Sequence, residues 1–257
     1  MKKIVLVICA LSLVWGCKEK LFVDDKTGEE VIGEKEPQPE GIVHVEYSGV
    51  EPTKPEETEV YSPVPPRVTP GVNGAPPSDA IILFDGTNLD AWVSSRDSTE
   101  AQWHINKNGS MTVRDKSGDI QTKQNFGSIQ LHVEWKSPAE VRGDNQNRGN
   151  SGVFLNNLYE VQVLDNNDNP TYVNGQVASI YKQHVPLAMA ASPTGEWNSY
   201  DIIYRAPEFN ENGAKIKSGT MTVLHNGILV QDHVEIKGTT PYIGWPKNPS
   251  QGKGHLR

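Results

Sequence analysis

The chain has 257 residues, with 24 Lys and Arg against 32 Asp and Glu, for a formal charge of −8. An acidic balance argues against a nucleic-acid partner, which demands a basic face. Two cysteines exclude a disulfide framework unless Cys9 pairs with Cys17, and the length suits one large domain with appendages.

The N-terminus reads as an address. Lys2 and Lys3 precede an uncharged run from Ile4 to Gly16. A spanning helix needs about 20 apolar residues, so this run is too short for a stable anchor and fits the apolar region of a secretory signal peptide. It ends in Val14-Trp15-Gly16-Cys17, which resembles a bacterial lipobox. Residues 1–17 are therefore expected to direct export, with cleavage before Cys17 and lipidation of that residue; the alternatives are a signal cut elsewhere and a buried apolar N-terminal helix. Two or more acyl chains would hold the protein durably on a membrane. Cys9 would leave with the signal. Lys18 follows the cysteine, so the simple Asp signal for inner-membrane retention is absent. The expected location is the cell envelope, on the outer membrane or facing the periplasm.

Residues 18–77 read as a tether. Ten of the 18 prolines fall between Pro37 and Pro77, and acidic residues dominate throughout. Such a segment cannot bury enough apolar surface to offset the entropy of ordering, and its prolines favour an extended, disordered chain. One island, Gly41-Ile42-Val43-His44-Val45-Glu46-Tyr47, reads as a short strand.

Residues 78–257 read as all-β. Ala80 to Phe84 ends in the turn signal Asp85-Gly86. From Ser128 to Lys136, Ile129, Leu131, Val133 and Trp135 alternate with polar residues, which gives a sheet with one buried face. Tyr159 to Leu164 repeats the alternation, and Ser199 to Arg205 and Thr220 to His225 follow. Asn226-Gly227 between two apolar runs is a hairpin signal, with Leu229 to Ile236 as the return strand. No segment sustains helical periodicity. A β-sandwich or jelly roll is the expected fold. The chain stops at Gly254-His255-Leu256-Arg257 just as another strand begins, so a C-terminally truncated fragment is expected, with a natural terminus as the alternative.

No phosphate loop, nucleophile elbow or His-Glu-x-x-His zinc motif is present, so nucleotide cofactors and serine hydrolysis have no support. What the sequence offers is polar side chains on strand faces. Glu160 and Gln162 share one face about 6.6 Å apart, and Asp165 follows at the strand end. Asn150-Ser151-Gly152 precedes the neighbouring strand, where glycine permits close approach of backbone and ligand. A face bearing Glu, Gln, His, Asn and Trp suits sugars, because hydroxyls need donors and acceptors and indoles stack on sugar rings. Glu160 stands out among the acidic residues because apolar neighbours flank it. Glu134 and His132 read equally as an ordinary solvated face.

Leu83-Phe84-Asp85-Gly86-Thr87-Asn88-Leu89-Asp90-Ala91-Trp92 resembles the opening of the 3-keto-disaccharide hydrolase domain family, a concanavalin-like jelly roll. Gly149-Asn150-Ser151-Gly152-Val153-Phe154-Leu155, Tyr159-Glu160-Val161-Gln162-Val163-Leu164-Asp165, Gly195-Glu196-Trp197-Asn198 and Val223-Leu224-His225-Asn226-Gly227 match its later blocks in order. The similarity runs from about Asp79 to Arg257. Family members continue into a strand with a Leu-Gln-Asp-His-Gly type motif, which is not in this sequence. The resemblance implies an enzyme that cleaves glycosides oxidised at C3, by proton abstraction at C2 and elimination at C1. It makes Glu160 the expected base, with Gln162 and His225 as catalytic partners. Asn150, Ser151, Glu134, Trp197 and Asn226 become expected substrate contacts. Asp165 becomes a candidate ligand for a divalent ion such as calcium or manganese. The alternatives are a non-catalytic carbohydrate-binding lipoprotein and a surface protein whose Asn-rich loops bind calcium only.

Overall fold

The computed structural model describes residues 49–250 and 253–257, with the backbone of short strands at 6–10, 22–23 and 30–31. Cys17 and the island 41–47 lie outside the described residues. One compact unit takes in Thr69–Arg257 together with the strand Leu6–Ala10; the other spans Leu11–Val68. Within the second unit the described residues 49–68 are exposed, with one short 3-10 turn at Pro55–Thr58.

The strands of the two layers are β1 (Leu6–Ala10), β2 (Ile81–Phe84), β3 (Trp92–Ser94), β4 (Ile120–Thr122), β5 (Ile129–Lys136), β6 (Asn150–Leu155), β7 (Tyr159–Leu164), β8 (Trp197–Arg205), β9 (Thr220–His225) and β10 (Ile228–Glu235), and two short hairpins pair His104–Ile105 with Met111–Thr112 and Glu208–Phe209 with Lys215–Lys217. The described residues contain no α-helix, and no described helix is long and apolar enough to cross a membrane. The all-β sandwich expected from the alternating pattern is the fold observed.

The first layer is a six-stranded sheet in the order β10-β9-β8-β5-β1-β2. Its backbone register is antiparallel throughout, and Leu6–Ala10, inside the run read as a signal peptide, pairs between β2 and β5. A run rich in Val and Ile has the β-propensity to complete a sheet. The β9–β10 hairpin turns at Asn226 and Gly227, both at positive φ (53° and 80°). That is why Asn-Gly stands there: a two-residue hairpin turn of this kind needs left-handed backbone at both positions.

The second layer is stitched from pieces. β6 and β7 pair in register, with Phe154 opposite Glu160 and Gly152 opposite Gln162. On the far side of β7, residues 178–181 add an irregular strand, through Val161 bridging Ile180 and Tyr181 N–H donating to the Glu160 carbonyl. On the far side of β6 the chain end adds another: Arg257 and Phe154 exchange both backbone hydrogen bonds. Leu256 then bonds Thr122 of β4, and β4 pairs with β3.

Alternation turns the apolar side of each layer inward. Ile129 and Leu131 of β5, Tyr200, Ile202 and Tyr204 of β8, and Met221 and Val223 of β9 are buried against Tyr159 and Val161 of β7. Two tyrosines span the layers. Tyr200 donates from its hydroxyl to the Gln162 carbonyl at 2.7 Å, and the Tyr204 ring lies 6.1 Å from that of Tyr159. These contacts fix the height of β7 over the first sheet. They leave Glu160 and Gln162 on the outer face of the second layer.

Candidate active site

The site is a row of side chains running across four neighbouring backbones. Arg257, Phe154, Glu160 and Tyr181 stand opposite one another in the register just described, so they share one face. The Arg257 guanidinium lies 4.0 Å from the Phe154 ring centroid, and its Nη1 reaches Asp119 Oδ2 at 3.3 Å. The Arg257 Nε is buried and makes no hydrogen bond. In the next row, Gln162 faces Gly152.

Gly152 is what makes room for the acid. A Cβ built there would sit 2.3 Å from Glu160 Oε1. Any side chain on Gly152 would evict the carboxyl group from its seat. Gln162 sits on the other side. The hydrogen-bond pattern favours the amide orientation in which its Nε2 donates to Glu160 Oε1 and to the Ser151 carbonyl, both at 3.1 Å. Gln146 Nε2 donates to the Gly175 carbonyl at 3.0 Å and to Thr171 Oγ1 at 2.9 Å, and Asn150 Nδ2 donates to the Gln146 carbonyl at 2.8 Å. In that orientation Glu160 is held by the Gln162 amide, and the Gln146 side chain, whose backbone carbonyl Asn150 bonds, lies 3.0 Å from the same amide.

No described cation forms an ion pair with Glu160. Burial is the main influence on it and raises its pKa to about 7; Arg257 at longer range opposes that rise and Asp119 adds to it. A carboxyl group of that kind exchanges a proton near neutral pH, as a general base must. Tyr181 has the opposite character. Burial, then its hydrogen bond to Tyr172, pushes its hydroxyl well up, so it stays protonated as a donor. The two phenol oxygens are 2.6 Å apart. Whichever donates to the other, one hydroxyl hydrogen of the pair is left for a ligand.

The structure brings Glu160, Gln162 and Asn150 together, with Ser151 contributing its backbone carbonyl. It takes the other expected site residues elsewhere. His225 is fully buried in the core, packed 4.9 Å from Tyr200 and 5.9 Å from Trp135 between ring centroids. Its Nε2 meets Asn198 Oδ1 at 2.9 Å, and burial lowers its pKa to about 4. A neutral histidine there packs the first sheet and cannot reach the outer face of the second layer. Asn226 shapes the hairpin: it accepts from Ser199 N–H at 2.8 Å and donates to the Ala190 carbonyl at 2.7 Å. Glu134 and Trp197 alternate outward from the first sheet, where Lys136 lies 5.2 Å over the Trp197 ring. The hydrophobic core separates that face from Glu160, so neither residue joins the same site.

Asp165 is committed to another role. Arg148 Nε donates to its Oδ2 at 2.9 Å and Thr194 Oγ1 to its Oδ1 at 2.8 Å, with Asp165 and Arg148 side chains only 3% and 9% exposed. A guanidinium where the ion would bind is the wrong neighbour for a cation ligand. Among the described residues no group of three or more His, Cys, Asp or Glu side chains is placed to hold a metal ion. Asp165, paired with Arg148, therefore does not fit the role of ligand to a divalent ion.

Several contributors were not visible in the sequence. Gln146, Tyr172, Tyr181, Lys182 and Arg257 lie in loops or at a strand-like chain end without regular alternation. Only the bridging of residues 178–181 and 254–257 onto the β6–β7 pair brings Tyr181 and Arg257 beside Glu160.

A family model described as a 3-keto-alpha-glucoside-1,2-lyase-like domain matches residues 79–256. The chain belongs to this family. A curated relative from Bacteroides thetaiotaomicron, named 3-keto-disaccharide hydrolase, is 29% identical over 157 residues, which are 48% of this chain and 51% of that protein. The chain thus spans about half the length of the curated relative it matches. A crystal structure of a "putative glycosyl hydrolase" from Parabacteroides distasonis is 49% identical, covers 83% of this chain and 91% of its own, and superposes with a TM-score of 0.76. A second structure from that organism is 19% identical with a TM-score of 0.50, a likeness of fold alone.

Proposed function

We propose that the domain cleaves glycosides already oxidised to a ketone at C3, with Glu160 as the base. The observation that supports this most is a carboxyl group seated over Gly152, half-buried, unpaired, and poised to exchange a proton near pH 7. The chemistry asks for little else. A C3 ketone acidifies the C2 hydrogen. The Glu160 carboxylate removes that proton, and the electron pair passes into the C2–C3 bond as the C3 oxygen becomes an enolate. Arg257 and the spare phenolic hydrogen of the Tyr172–Tyr181 pair share the face and would stabilise that oxygen. As the ketone re-forms, the C1–O bond breaks, a C1–C2 double bond appears, and the protonated Glu160 returns its proton to the leaving oxygen. Water added across the double bond would convert elimination into net hydrolysis. This route needs one base, whereas ordinary glycosidases use two carboxyl groups at fixed separation.

Glu160 must be ionised to act. The rate on a 3-keto-disaccharide should therefore rise with pH through about 7 and fall away below it. Measuring kcat/KM from pH 5 to 9, with and without chelator, tests the reading. A profile flat across neutral pH removes Glu160 from the role, and a loss with chelator alone reinstates a divalent ion. If wild type and Glu160→Gln bind the sugar equally and neither turns it over, the carbohydrate-binding alternative stands.

Export and anchoring through Cys17 belong to the same proposal and rest on residues 2–17 alone; cleavage there would take β1 out of the first sheet and leave β2 and β5 without the strand between them. Mass spectrometry of the mature N-terminus in an envelope fraction would find a diacyl or triacyl cysteine. An unmodified Cys17, or a different first residue, would refute it.

A further inference from the structure

We propose that the loop 238–247 is a stacking platform for the leaving-group sugar, formed by Trp245 and Tyr242 beside Lys182 and Tyr181. The inference rests on the assignment of Glu160 above and adds which residues of this chain receive the second ring of a 3-keto-disaccharide.

Three large side chains in this short loop face solvent. Tyr242 is 78% exposed, Ile243 84% and Trp245 88%. An isolated exposed hydrophobic residue is unremarkable, but three together mark a binding surface. The loop itself is pinned. Thr240 N–H donates to the Leu158 carbonyl at 2.8 Å, Thr239 N–H to the Lys247 carbonyl at 2.8 Å, and Gln183 Nε2 to the Gly238 carbonyl at 2.9 Å. Thr240 Oγ1 also accepts the backbone N–H of Glu160 at 3.1 Å, so the platform is tied directly to the residue that bears the base.

Between the loop and the strand-like segment lies a cavity of about 260 Å³. Trp245 and Pro246 form one wall, and Tyr181, Lys182 and Asn174 the other. Tyr181 belongs to the same cross-strand row as Glu160, so a molecule filling the cavity lies beside the reacting ring. The Lys182 ammonium is held among three aromatic rings, 4.9 Å from the centroid of Tyr242, 5.3 Å from Tyr181 and 5.9 Å from Tyr172. One of its hydrogens goes to the Tyr242 carbonyl, which leaves others for a ligand.

A flat apolar ring edged by ammonium and amide donors matches a pyranose, which has a C–H face and a rim of hydroxyls. A wholly apolar leaving group would make no use of the remaining Lys182 hydrogens, whereas a sugar hydroxyl accepts from them.

The test compares a 3-keto-disaccharide with methyl 3-keto-glucoside. In Trp245→Ala the ratio of kcat/KM for the disaccharide to that for the methyl glycoside should fall about tenfold, and Trp245→Phe should retain most of it. An unchanged ratio overturns the platform. Because Trp245 is exposed, its replacement spares the core. Calorimetry with the unoxidised disaccharide separates this from the Glu160 reading. If neither substrate is turned over, the chemistry assigned to Glu160 fails, and the platform still stands only if disaccharide binding weakens about tenfold in Trp245→Ala. Equal affinity in wild type and variant overturns it.

Discussion

The two outer faces of the sandwich both carry charged and polar side chains, and they are built differently. On the first sheet, His132 Nδ1 meets Asp201 Oδ1 at 2.6 Å across paired strands, with side chains 35% and 51% exposed. Each partner satisfies the other and water satisfies the rest. On the second layer, Glu160 is more deeply set and has an amide, an aromatic ring and a bare glycine as its neighbours. A paired, solvated charge is stable and unreactive. An unpaired carboxyl group in a partly dry seat has its proton equilibrium moved toward neutrality, and folding tolerates that cost where chemistry uses it. Composition alone does not distinguish the two faces; what lies around each carboxylate does.

The largest effect that separates them is on turnover. Glu160→Gln keeps the volume and removes the base, so kcat on a 3-keto-disaccharide should drop by about 10²–10⁴, while the thermal midpoint holds or rises because a costly buried acid is gone. The equivalent change on the other face, Glu134→Gln, should leave turnover where it was. Equal losses from both would erase the distinction between the faces.

Next in size is the seat itself. Gly152→Ala places a methyl group where Glu160 Oε1 now lies. The carboxyl must shift by about an ångström or more, which can cost about 100-fold in kcat. The accompanying readout is the pH profile: a Glu160 pushed out toward water should titrate closer to its ordinary value, so the rising limb should move to lower pH. A reduced rate with an unmoved limb would mean that the backbone has shifted and Glu160 has kept its surroundings.

Asp165 sharpens the comparison from the side of stability. It is buried like a catalytic acid but neutralised like a surface one, by Arg148 and Thr194. Asp165→Ala leaves a buried guanidinium without its anion and should destabilise the domain by about 3–5 kcal/mol. Urea unfolding would read this, and added calcium or manganese should not change the wild-type midpoint. A metal-dependent midpoint would restore Asp165 as a ligand.

How much of this was legible in the sequence follows the same division. Apart from β1, which lies in the run read as a signal peptide, the first sheet could be read strand by strand, because period-two alternation at Ile129, Leu131, Val133 and Trp135 and the Asn226-Gly227 turn are local signals. The second layer hid half of itself. β7 was visible, but residues 178–181 and 254–257 become strands only by bonding to it and to β6, and alternation does not announce a partner. Glu160, Gln162 and Asn150 could be picked out on strand faces near one another. His225, Asn226, Glu134 and Trp197 could not be placed, because matching a family block says that a residue matters without saying which face it serves. His225 and Asn226 matter to the packing and the turn. The pairing of Asp165 with Arg148 is not legible because the arginine stands 17 residues away in the sequence.

The smallest expected effect lies on the first sheet. Asp201 raises the pKa of His132, chiefly through their hydrogen bond, against the opposing influence of burial. A histidine whose folded pKa is raised stabilises the fold fully below its ordinary value, and that contribution fades as pH rises through the raised one. Because both side chains are well solvated, the pair is worth about 0–1 kcal/mol. Asp201→Asn should therefore lower the urea midpoint slightly at pH 5.5, and the gap from wild type should narrow by pH 8.5. Turnover at pH 7.5 should not change. A widening gap at alkaline pH would mean that the pair is held by something other than the charge on His132. A loss of turnover would mean that the outer face of the first sheet communicates with Glu160 through the core, and the two faces could no longer be treated as independent.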